Sequence, residues 1–155
     1  GNLVPVYREI LADTETPVSA FLKTARGEHA FLLESVVGGD RWGRYSFLGS
    51  EPAAVFTSRG TTVSLAEQGR VPRSFTAADP LEALRDLLAQ YRAVPVAGLP
   101  RFFGGAVGYI AYDAVRFFER LPATLELSAA ALLSVTLPTS NSSTSVRPIV
   151  NDWVE

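Results

Sequence analysis

"LLESVVGGDRWGRYSFLG", residues 32–49, opens as an apolar run and turns polar within a few positions. With the preceding residues it forms a compact apolar segment, "HAFLLESV" (29–36), whose pattern predicts a strand. Gly38 and Gly39 turn the chain, and "GRYSFLG" begins a second strand near 43–49. Glu34 stands at the end of the first strand. A carboxylate taken out of water must be paired, hydrogen-bonded or used. Two readings follow. In one, Glu34 meets Arg44 across a hairpin with Trp42 packed over the joint. In the other, the stretch is a site for a small zwitterion. Glu34 then receives an ammonium, Arg41 or Arg44 with backbone N–H groups receives a carboxylate, and the apolar strand holds a side chain. Ser35 adds a hydroxyl on the opposite face.

Outward from this stretch, the pattern predicts a mixed chain. "VPVYREILA" (4–12) alternates loosely, as a strand does. "DTETPVSAFLKTA" predicts a helix over about 17–25, with Asp13 or Thr16 as cap, Pro17 in the first turn and Gly27 as stop; Val18, Phe21 and Leu22 share one face. Further strands are predicted near 53–58 and 61–67, joined at Arg59-Gly60, and "VPRSFTAA" (71–78) reads as a loop. "DPLEALRDLLAQYR" predicts a helix capped by Asp79, with a core stripe of Leu81, Leu84, Leu87, Leu88 and Tyr91. A glycine-interrupted aromatic strand and a short helix over about 111–119 follow within 101–122. "ALLSVTL" is a strand candidate and "VRPIVNDWVE" a last strand. The fold class is α+β: an antiparallel meander with two to three helices packed on one face.

Composition narrows the function. The 155 residues fit one domain, large enough to bury roughly two thirds of the unfolded surface. A net charge of −2 gives no general attraction to nucleic acid or anionic lipid, and no apolar run is long enough for a membrane span. The absence of cysteine excludes disulfides, thiol nucleophiles and thiolate metal sites, and suits a reducing cytoplasm. The single histidine, His29, excludes a His-rich metal centre. Methionine is missing even at position 1, so the amino terminus is expected to be processed or cut from something longer. "GGAVG" (104–108) is neither a dinucleotide fingerprint nor a P-loop; its glycines read as strand irregularities. Tyr109, Tyr112, Asp113, Arg116 and Glu119 read as structural pairings at a helix start.

The "LLESVVGGDRWGRYSFLG" segment, preceded by "TPVSAFLK" (16–23) and followed by "RFFGGAVGYIAYDAVRFFE" (101–119), resembles the amino-terminal region of anthranilate synthase component I, in the chorismate-utilising enzyme family. The likeness runs in order from about Pro5 to Pro122, giving an expected family-like domain over 1–123 and an unmatched strand-turn-strand tail over 124–155. The resemblance implies a partial anthranilate-synthase-like fold and a parent reaction that converts chorismate and an ammonia donor into anthranilate and pyruvate. It also implies that Glu34 and Ser35, with Arg44 at a basic position nearby, contribute half of a feedback site for L-tryptophan. The chorismate and magnesium sites of the family lie in a longer carboxy-terminal region, so no catalytic residue, metal ligand or cofactor is expected in this chain. The implied partners are L-tryptophan, bound weakly by a half-site, and a glutamine amidotransferase subunit; open sheet edges would also favour self-association. The other readings are a non-catalytic binding or assembly module, and the equivalent piece of an aminodeoxychorismate synthase.

Overall fold

The structure, a computed structural model, describes residues 1–34, 45–99, 102–119, 130–136 and 147–150. In chain order its elements are α1 (Pro17–Thr24), β1 (Ala30–Leu33), β2 (Tyr45–Ser50), β3 (Ala54–Arg59), β4 (Thr62–Glu67), β5 (Arg73–Thr76), α2 (Pro80–Ala89), β6 (Gly105–Ile110), a 3₁₀ helix (Tyr112–Phe117), β7 (Ala130–Thr136) and β8 (Arg147–Val150). The α+β class holds, with the strands divided between two antiparallel sheets instead of one meander. The chain forms two compact units. One comprises residues 1–52, 93–104 and 138–155, the other 53–92 and 105–137.

The first unit holds the sheet β1-β2-β8, with β2 in the middle. Its helix begins where the sequence places it. The Thr16 hydroxyl accepts the Ser19 N–H at 3.1 Å, and the Ser19 hydroxyl accepts the Thr16 N–H at 2.9 Å. This reciprocal cap satisfies two donors that a helix start leaves open. Pro17 has no N–H to lose there. The Glu15 carboxylate accepts from the Ser19 hydroxyl at 2.7 Å and from the Lys23 ammonium, tying the approach to the helix end. At the far end, Ser50 of β2 donates its hydroxyl to the Thr24 carbonyl at 3.0 Å, anchoring α1 to the sheet.

Residues 4–12 are not a strand. Leu3 alone makes a parallel bridge to Ala93, with the Val94 N–H donating to the Leu3 carbonyl at 2.8 Å. Pro5 lacks an N–H, and no described strand lies alongside to take up the donors that follow. The apolar side chains stay outside, Leu11 being 93% exposed.

The second unit holds the sheet β5-β4-β3-β7-β6. β3 and β4 form a hairpin in which Arg59 faces Thr62, leaving a two-residue loop. Gly60 takes φ +55 at the first loop position, where a side chain would be strained. Strict alternation follows. Ala54, Phe56 and Ser58 of β3 and Val63 and Leu65 of β4 are buried, while their neighbours are not. Leu87 of α2 completes this core at 4% exposure, with Leu84, Leu88 and Tyr91 packed around it. The Asp79 carboxylate caps α2 by accepting the Leu81 N–H at 2.8 Å.

β5 overturns the loop reading of 71–78. It pairs with β4, setting Phe75 opposite Val63. All four of its residues are exposed, so it carries no burial pattern that a sequence could show. The short helix expected after β6 is a 3₁₀ turn, whose Ala114 is buried.

Three measurements check these assignments. Phe31 lies across from Gly49, and a Cβ on Gly49 would sit 2.6 Å from the Phe31 ring. Gly49→Ala is therefore expected to cost about 1–3 kcal/mol through overpacking, and Leu87→Ala about 2–5 kcal/mol through a core cavity, both read by chemical denaturation. The hydrogen bond from Lys23, with that from Ser19, holds the Glu15 carboxyl below its ordinary 4.5. A group depressed in this way stabilises the fold above its unfolded value and loses that contribution as pH falls through the folded one. Stability should thus decline below about pH 4.5, and Glu15→Gln should flatten that part of the profile.

Candidate functional site

β1 ends at Leu33, one residue before Glu34. Its pairing sets Phe31 opposite Gly49 and Leu33 opposite Phe47, and paired residues share a sheet face. Phe31, Leu33, Tyr45 and Phe47 therefore form one face. Ala30, Leu32, Leu48 and Ser50 form the other, where Ser50 meets α1. The first face is aromatic. Phe47 meets Phe102 edge to face at 5.1 Å between ring centroids, and Tyr45 lies 6.1 Å from Phe47. Rings in such contacts gain roughly 0.5–1.5 kcal/mol beyond the area they bury.

Glu34 is exposed, and its carboxylate has no hydrogen bond or ion pair to any described residue. This corrects the expectation of a carboxylate at the end of a buried strand. The strand is already leaving cover at Leu33, which is 46% exposed. An acid in water needs no partner, so burial gives no reason for Glu34 to receive a ligand. Ser35, Arg41, Trp42 and Arg44 lie outside the described residues. So does the Glu34–Arg44 pairing.

The shielded, paired acid stands elsewhere, at the end of β4. The Glu67 side chain is only 12% exposed. Its carboxylate lies 3.0 Å from Arg70 and 3.7 Å from Arg73, whose guanidinium also stands 5.9 Å from the centre of the Phe75 ring. Sequence reading passed over Glu67. The visible signal was a glutamate closing the alternating run of 62–67 with two arginines close behind. Its role is structural: it fastens the end of the hairpin to the start of β5.

His29 is half-buried just before β1; Tyr109 and Tyr112 are exposed, and the Asp113 side chain lies outside the described residues. Gly105 opens β6 at φ +145, which supports the structural reading of the glycine cluster. Among the described residues no three His, Cys, Asp or Glu side chains gather as a metal site would require, and no helix is long and apolar enough to cross a membrane.

No family model matches the chain. Comparison with curated proteins is more informative. The chain is 43% identical over 123 residues to anthranilate synthase component 1 of Pseudomonas aeruginosa, a match covering 79% of this chain and 25% of the relative. This chain is a relative of the amino-terminal region of anthranilate synthase component 1. The component 1 proteins of Aquifex aeolicus, 42% identical over 119 residues, and Acetivibrio thermocellus, 39% identical over 121, match in the same way, with 24% of each covered. The chain thus spans about a quarter of the length of the anthranilate synthase relatives it matches.

The geometry at Glu34 makes a stability prediction that separates an exposed acid from a buried one. Glu34→Ala should shift the unfolding free energy by no more than about 0.5 kcal/mol, as surface substitutions do. A buried, paired carboxylate would cost roughly 3–5 kcal/mol on losing its partner.

Proposed function

We propose that this chain is the amino-terminal part of the large subunit of an anthranilate synthase, acting in tryptophan biosynthesis in the cytoplasm. The observation that carries this reading is the 43% identity over 123 residues to a component 1 protein. In the parent enzyme, chorismate and an ammonia donor give anthranilate and pyruvate, with a glutamine amidotransferase subunit as partner. This portion contributes scaffold and regulation, not chemistry. By the family resemblance, the chorismate and magnesium sites lie in a longer carboxy-terminal region, and this chain spans about a quarter of its relatives' length.

The regulatory part of the proposal is half of an L-tryptophan site formed by Glu34, Ser35 and Arg44. Its support is the family resemblance of the "LLES" and "GRYSFLG" segments, together with a Glu34 carboxylate that is exposed and has no partner among the described residues. An exposed carboxylate meeting an ammonium gains about 0–1 kcal/mol, because water screens the pair. Each 1.4 kcal/mol is about tenfold in affinity, so a half-site built on such contacts binds feebly. Self-association through open sheet edges is the remaining part of the proposal.

Titration with L-tryptophan, followed by NMR or calorimetry, is expected to give millimolar affinity or weaker, reduced further in Glu34→Ala. Micromolar binding that survives Glu34→Ala would place the site elsewhere. Chorismate and ammonium are expected to yield no anthranilate with this chain; measurable product would overturn the non-catalytic reading.

A further inference from the structure

The five-stranded sheet has two edges, and they differ in kind. β5 has four residues; Pro72 precedes it, and its first residue, Arg73, carries a charge held by Glu67. A short strand with a proline and a cation beside it is how natural sheets block pairing with another chain. β6, "GAVGYI", has six residues and neither device. It holds no charge and no proline, and among the described residues it pairs with β7 on one side only. Tyr109 and Ile110 lie on opposite faces near its end, 56% and 52% exposed.

We infer that β6 is the edge through which two copies of this chain associate, antiparallel and about a two-fold axis at Val107. This deepens the self-association proposed above and rests on it, but not on the enzyme assignment. A two-fold axis perpendicular to a continuous sheet pairs residues of the same face, so the register must centre on a residue. With Val107 opposite Val107 of the second copy, Tyr109 falls opposite Gly105 and Ile110 opposite Gly104. Each large exposed side chain then lies over a glycine, an arrangement that covers the bare backbone and buries the ring or alkyl group. Gly108 falls opposite Ala106, small against small. No like charges meet across the axis, because the strand carries none. One six-residue edge buries less than the roughly 1,200 Å² of a standard interface, so the dimer is weak and forms at high concentration.

The chain has no cysteine, which allows a direct test of the register. Sedimentation of the whole chain from micromolar to millimolar concentration is expected to show monomer passing into dimer. Val107→Cys should cross-link on mild oxidation, since facing residues of an antiparallel pair sit within disulfide reach. Tyr109→Cys, although more exposed, should not, because the two copies of residue 109 lie about 13 Å apart at ~3.3 Å per residue. Ile110→Lys should weaken dimerisation by about tenfold or more while leaving the monomer folded, as a guarding lysine does. A chain that stays monomeric at every concentration overturns self-association itself. A dimer that forms while Val107→Cys fails to cross-link, or that cross-links through Phe75→Cys on β5, overturns the β6 assignment and leaves self-association standing.

Discussion

Ala54 and Phe56 of β3, Val63 and Leu65 of β4, and Leu87 of α2 exclude water from one another, and the rest of their unit is arranged around that exclusion. The strand pleat makes this economical. Every second residue faces inward, so two short strands present a continuous apolar surface to one helix while Thr57, Ser64 and Ala66 face the other way. A two-residue turn at Gly60 fixes the register; slipping it by one position would turn the apolar set to the wrong face. Helix α2 contributes one stripe, and its start is set by the Asp79 cap and by Pro80, which is itself fully buried. Local signals and tertiary burial agree here, which is why this part of the fold could be read from residues alone.

That agreement explains what was legible. α1, α2, β2, β3, β4 and β6 each carry a periodicity, a cap or a turn residue that only one structure satisfies. The elements misread lack such a signature. β5 owes its existence to the free edge of β4, and an edge strand exposed along its whole length has no need of alternation. Residues 4–12 have the opposite character: they alternate, yet the bridge nearby is made by Leu3, just before them. Alternation states that a segment is able to pair; it does not supply the partner. The division of the strands between two sheets was also hidden, since sequence order does not reveal that β8 returns to β2 and β7 to β3.

The candidate site follows the same logic. Glu34 and Glu67 both close an apolar run, and sequence gives no means of ranking them. Their surroundings do. β4 is covered on one face by α2 and flanked by β3 and β5, so the acid at its end is shielded and draws in Arg70 and Arg73. β1 is an edge strand four residues long, and the acid following it stands in water. Family likeness singles out Glu34, whereas burial singles out Glu67. The two criteria measure different things: burial marks what this chain needs to hold itself together, whereas the likeness underlies only the proposed ligand contact.

The pairing of β3 with β7 joins Ala54 to Val135 and Arg59 to Ala130, across almost everything else in the unit. On a ribosome, therefore, β3 emerges, folds back on β4 and receives α2 long before its second neighbour exists. Until β7 arrives, the middle of the finished sheet is a border. Closing so long a loop is the slow step in forming any such sheet. A nascent chain of this design must carry an open, apolar flank from the emergence of β3 until that of β7, exposed to every other chain nearby.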